Sequence, residues 1–148
     1  MSFNTVVTST PNQASLQIDL KKLFVFNNRY EKDNYINNSG YDPIILPAGT
    51  VMGRVATTGV LVPFTSTASD GSQFILGILA QDVQLAAGAT QQAAICIAGD
   101  VAGELVQFSK IGDGFDTVVS SRRVRDKIQG ETVGIILRFA DEQLQYDN

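Results

Sequence analysis

The stretch "LPAGTVMGRVATTGVLVPFTSTASDGSQFILGILAQDV", Leu46 to Val83, decides how the chain is read. In it, short apolar runs alternate with turn residues. "LPAGTVMGRV" and "VLVPF" flank "ATTG", and "FILGILAQDV" lies across "TSTASDGSQ", whose Asp70-Gly71 pair suits a tight turn. The order is strand, turn, strand, turn, strand, with no histidine, no cysteine and no cluster of carboxylates. The following "AAGATQQAAICIAGDVAGELVQF" adds another turn and one or two more strands. Strands separated by turns at about ten-residue spacing make a small barrel or sandwich. The expected class is therefore mainly β: a small β-barrel or sandwich-like domain.

Downstream, "DTVVSSRRVRDKIQG" breaks this rhythm. Asp116 can cap a first turn and Gly130 can close a last one, which predicts one short helix over about 117–129. At 3.6 residues per turn, Thr117, Val118, Ser121, Val124 and Ile128 share its inner face, leaving Arg122, Arg123, Asp126 and Lys127 outside. "ETVGIILRF" then returns as a strand, and "ADEQLQYDN" is a polar, acidic tail.

Upstream, the composition changes near residue 40. Seven of the eight asparagines fall in the first 38 residues, and six of the twelve aromatic residues lie at or before Tyr41. That segment is chemically distinct from the glycine-punctuated remainder. "TVVTSTPNQA" is interrupted by Pro11, which cannot donate to a ladder and belongs at an edge or in an extended arm. In "SLQIDLKKLFVFNNRY", Leu16, Ile18 and Leu20 alternate before the apolar Leu23 to Phe26, which reads as a strand or an extended arm. "NNRYEKDNYINNSGYDP" reads as a polar loop. The domain reading is an N-terminal arm over 1–40, which could be partly folded onto the body, and a β-rich domain over 41–148.

Chemistry is sparse. The 148 residues suit one domain, and a net charge of −4 with a pI near 4.6 repels phosphate backbones and anionic lipid. Neither nucleic acid nor membrane is expected as a partner. The longest apolar runs are only a few residues, far below the roughly 18 of a membrane span, and "MSFNTVVTSTPNQ" carries no signal-peptide pattern. Cys96 stands alone inside "ICIAG" and reads as a small buried side chain.

Without histidine there is no triad, no common general base and no ordinary zinc site. Asp42, Asp70, Asp82, Asp100, Asp113 and Asp116 are scattered singly and read as turn formers and caps. "GDGFD" at Gly112 to Asp116 lacks the alternating acids and distal glutamate of a calcium loop. No phosphate-binding glycine loop occurs. Arg122, Arg123, Arg125 and Lys127 read as a solvated or acid-paired helix face. No catalytic residue, metal, cofactor or small-molecule substrate is expected.

The front segment has two readings. It supplies either the first strands of the same fold or a recognition arm that orders against a partner, adding a strand while aromatic side chains fill pockets. In the second reading Leu16, Ile18, Leu20, Phe24, Phe26 and Tyr30 are the contact residues.

The order of "LPAGTVMGRV", then "GVLVPFTSTASDGSQFILGILAQDVQLAAGATQQAAICIAGDV", then "SSRRVRDKIQGETVGIILRF" resembles the lambda-type head decoration proteins of tailed bacteriophages. Gly77-Ile78-Leu79-Ala80 is the closest local match, and the resemblance covers about Asp42 to Phe139. It implies a non-enzymatic homotrimer on the outer surface of the virion capsid, at threefold and quasi-threefold sites. Its partner there would be the major capsid protein, with host cytoplasm as its location during assembly. The implied role is cementing the shell against the pressure of packaged DNA, with the six front-segment residues facing the capsid. The Asn-rich front end is longer than in the shorter family members. Alternatives are the base of a head fibre, a small β-barrel that binds a carbohydrate or peptide on its turns, for which the lack of tryptophan is unfavourable, and a carboxylate enzyme.

Overall fold

A computed structural model describes residues 23–38 and 40–139 of the chain. Its longest interior strand, β7 (Thr90–Ala102), is rich in β-branched and small residues and is paired along both edges. On one side lies β1 (Phe24–Asn37), antiparallel; on the other lie β5 (Gly77–Leu79), antiparallel, and β10 (Gly134–Arg138), parallel. The sheet continues through β3 (Val51–Arg54) to β4 (Leu61–Pro63), in the order β1-β7-β5-β3-β4. A separate antiparallel pair, β2 (Ile44–Leu46) and β6 (Val83–Leu85), forms a second sheet.

Alternate side chains on β7 serve two cores. Ala93, Ile95 and Ile97 join Ile36, Met52, Leu61 and Leu79 against Leu46, Val83 and Leu85 of the β2–β6 pair. Cys96 and Val101 face the opposite side, with Val51, Ile78, Val124, Ile128, Ile135 and Leu137. Residues 96 and 101 share a face despite their odd spacing because an irregularity at Gly99 shifts the parity of the strand. Gly99 has φ +110°, and a Cβ there would stand 2.6 Å from the Asn28 Cα. Opposite it, Asn27 is also left-handed, and the β1–β7 register shifts between Phe26 and Arg29.

The architecture is mainly β and sandwich-like, as the strand-turn rhythm predicts. A closed barrel is not formed: β1 and β4 end the sheet order without pairing to each other among the described residues. Instead, Arg54 Nη2 on β3 donates a hydrogen bond to Asn34 Oδ1 on β1. On the other face, rings of Phe64, Phe108, Phe115 and Phe139 meet edge-on in sequence, with centroids 6.4, 5.4 and 5.4 Å apart. They tie the excursion after β7 to the core.

Two expectations need correcting. The segment read as a polar loop from Asn27 is strand as far as Asn37, because β7 pairs with it and its Asn34 and Ile36 turn inward while Tyr35 and Asn37 turn out. The helix expected over 117–129 is α1 (Val124–Glu131). Residues ahead of it form a hairpin, β8 (Val118–Val119) and β9 (Arg122–Arg123), because Ser120 and Ser121 both adopt positive φ, 53° and 70°, as a mirror-image hairpin turn requires.

Asp116 therefore stands beside Arg123 at 3.8 Å without capping the helix, and Gly130 lies inside α1. Lys127, expected on the outer face, is 3% exposed: its ammonium meets Glu131 at 2.6 Å and lies 5.5 Å from the Phe74 ring centre. Glu131 Oε1 also accepts from the backbone N–H of Ile75, so one carboxylate fastens α1 to the loop before β5.

Candidate functional site

Strand β1 is an edge of the main sheet and carries the chain's densest group of exposed aromatic and aliphatic side chains among the described residues. Phe26 is 69% exposed, Val25 54%, Tyr35 53% and Tyr30 45%. A long edge strand with such side chains presents unpaired main-chain groups beside apolar surface, the combination that receives a strand from another chain.

The strand is held in place by specific polar contacts. At its beginning, Asn28 Nδ2 donates to the Asp100 carbonyl at 3.1 Å and reaches Cys96 Sγ at 3.6 Å. At its end, Asn38 is buried: Nδ2 donates to the Asp42 carbonyl at 2.7 Å and to the Leu85 carbonyl at 3.3 Å, and its N–H donates to Ala89. These amides join the front of the chain to the β6–β7 turn, so the exposed side chains stand on rigid backbone.

Of the six expected contact residues, Leu16, Ile18 and Leu20 lie outside the described residues. Phe24, Phe26 and Tyr30 all fall on β1 and differ in environment. Phe24 is half-buried against the core and meets Tyr30 edge-on at 5.5 Å. Phe26 points into solvent. Burial raises the pKa of the Tyr30 hydroxyl, and the neighbouring Cys96 thiol adds to the shift.

Sequence reading missed Val25, Tyr35 and Ile136. Phe26 on β1 and Ile136 on β10 both stand opposite Asp100 of β7, so the three form one cross-strand row. Asp100 accepts from Arg138 Nε at 3.1 Å, with Nη2 also 3.1 Å from the same carboxylate oxygen, which leaves a neutralised ion pair between two exposed apolar side chains. The alternation of "GIILR" holds the signal for Ile136: with Ile135 and Leu137 inward, it turns outward.

Of the acids expected as turn formers and caps, Asp100 instead lies within β7 and Asp116 caps no helix, whereas Asp70, Asp82 and Asp113 sit in loops and accept hydrogen bonds there. Asp82 accepts from the Ala48 N–H, Asp70 from the N–H and hydroxyl of Ser72, and Asp113 from those of Ser66. The Ser72 hydrogen bonds hold the Asp70 carboxyl below the usual aspartate range. Among the described residues no three metal-binding side chains gather, and no helix is long and apolar enough to cross a membrane. The arrangement is one of exposed apolar side chains on a fixed edge strand.

A family model described as bacteriophage lambda head decoration protein D matches residues 27–114, more than half of the chain, from β1 through the loop after β7. A search of curated proteins finds no match.

Proposed function

Because the chain belongs to the family of bacteriophage lambda head decoration protein D, we propose that it acts as a homotrimeric cement on the outer surface of the mature head. It sits at threefold and quasi-threefold sites and bridges major capsid subunits against the pressure of packaged DNA. The family membership makes it a phage head decoration protein located on the virion capsid. The trimer, the sites and the stabilising role are the finer reading, supported most by the exposed aromatic edge of β1, of which Tyr30 and Tyr35 lie inside the matched segment and Val25 and Phe26 just ahead of it.

Adhesion needs no turnover, and the chain acts without catalysis. A trimer presents three such edges at once; after one docks, the others bind at high effective concentration, so modest contacts give lasting attachment. Leu16, Ile18, Leu20, Phe24, Phe26 and Tyr30 of the 1–40 arm contact the capsid, each buried apolar side chain contributing at roughly 25 cal/mol per Å². The chain is made in the host cytoplasm and joins heads after expansion, when the sites exist. Mixing purified protein with expanded, undecorated heads tests this: saturable depletion from solution, with heads that then withstand more heat or chelator, supports it. A protein that stays in solution contradicts it.

A further inference from the structure

Of the exposed large apolar side chains outside β1, Ile136 alone stands on a strand of the same sheet among the described residues. Residues paired across neighbouring strands share a face of the sheet. The pairing therefore sets Phe26, Asp100 and Ile136 side by side across β1, β7 and β10, with Ala98 beside Gly134 and Ala102 beside Arg138. Ala98, Gly134 and Ala102 are small and keep the flanking rows low, so Phe26 and Ile136 project from the surface. Strand β10 lies beyond residues 27–114, and the family match assigns it no role.

The middle of this row is an ion pair. The Asp100 side chain is 17% exposed, and Arg138 Nε and Nη2 both stand 3.1 Å from its Oδ2. Arg123 and Asp116, by contrast, are 66% and 91% exposed and meet only at 3.8 Å. In water a pair such as Asp100 and Arg138 contributes little. Where water is excluded its effect grows, because a carboxylate left alone under an apolar cover is costly, whereas one already held by a guanidinium is much less so. A row of apolar side chains with a cancelled charge at its centre is suited to a cover that carries no charge of its own.

Family membership supplies the occupant: a head decoration protein attaches to the phage capsid, and this row continues the exposed edge of β1 without a break in the sheet. We propose that the head contact extends from β1 across β7 to β10, with Phe26 and Ile136 covered together by an uncharged, apolar part of the capsid surface. Arg138 is then a specificity-determining residue, which cancels the Asp100 charge for that contact. This rests on the decoration reading above and specifies the surface and the chemistry of its partner.

The test is co-sedimentation of the full chain with expanded, undecorated heads. Ile136→Ser should weaken binding at least about fivefold. Arg138→Gln uncovers the Asp100 charge and should weaken it at least about tenfold, with circular dichroism and thermal unfolding close to wild type. Combining Asp100→Asn with Arg138→Gln removes both charges and should bind at least about fivefold more tightly than Arg138→Gln alone, a rescue that mere loss of folding would not give. Wild-type affinity should change less than about threefold between roughly 50 and 500 mM salt. If Ile136→Ser and Arg138→Gln bind heads as wild type does, the proposal is overturned and the decoration reading survives. A double variant no better than Arg138→Gln, or wild-type binding that falls steeply with salt, overturns it too. Sedimentation without heads covers the other occupant: variants that lose self-association but keep head binding place the row between copies, against the proposal. Wild-type protein that stays in solution overturns the decoration reading and this inference with it.

Discussion

The rings of Phe24 and Tyr30 meet edge to face with their centres 5.5 Å apart, while Phe26, between them in sequence, stands 69% exposed. One short aromatic run is thereby divided into a part that holds β1 to the core and a part left exposed. Phe24→Ala should destabilise the fold by about 2 kcal/mol through lost packing. Phe26→Ala should stay within about 0.5 kcal/mol. Chemical denaturation of both variants checks the division; equal losses would contradict it.

Lys127 and Glu131 form a 2.6 Å pair, with Lys127 buried and Glu131 also holding the Ile75 N–H. Removing one partner strands the other's charge. Lys127→Ala should cost about 3 kcal/mol, and Glu131→Ala a comparable amount because the Ile75 N–H loses its acceptor as well. A double-mutant cycle by denaturant unfolding should return a coupling of at least about 1 kcal/mol. Additive losses would show that the pair is not coupled.

Gly99 combines a φ of +110° with backbone atoms of Asn28 and Asn27 where a Cβ would go. Gly99→Ala should therefore destabilise by about 2 to 4 kcal/mol and disturb the β1–β7 register. Thermal unfolding measures the first and amide exchange in β1 the second. A neutral substitution would mean that the parity shift in β7 does not need this backbone.

Cys96 is fully buried, and burial raises its thiol pKa, an effect that the Asn28 and backbone hydrogen bonds only partly offset. The native thiol should resist aromatic disulfide reagents at neutral pH and react only on unfolding. The sign of the pH effect follows from the folded pKa lying above the unfolded one, about 8.5. This contribution to stability is complete below that value and is lost as pH rises toward the folded pKa. Stability measured from pH 7 to 10 should fall at the alkaline end, and Cys96→Ala should flatten that fall.

How much of this was legible depended on where the physical signal lay. The strands from Ile44 to Ala102 are visible because short apolar runs end at glycine-rich turns, and Asp70, Asp82 and Asp113 were readable as loop acids, whereas Asp100 lies in β7 and Asp116 caps no helix. Strand β1 was not legible beyond Phe26: its Asn, Lys, Asp and Glu residues lower strand propensity, and its structure comes from β7, a partner 53 or more positions away. Val118 to Arg123 was misread because helical spacing is satisfied there, whereas the left-handed Ser120-Ser121 turn leaves no composition signal as strong as Asn-Gly. Lys127 looked external because its burial depends on Glu131 and Phe74 coming together in three dimensions. For the candidate site, Phe26 and Tyr30 were found from aromatic density, whereas Ile136 joins them only through the sheet.

The central claim is adhesion to the phage head through the exposed edge of β1, and Phe26→Asp compared with wild type on expanded, undecorated heads tests it most directly. Co-sedimentation should deplete wild-type protein from the supernatant with saturation, and should leave the variant, folded and equally heat-stable, at least tenfold less depleted. Equal depletion of both proteins, or of neither, would contradict the account.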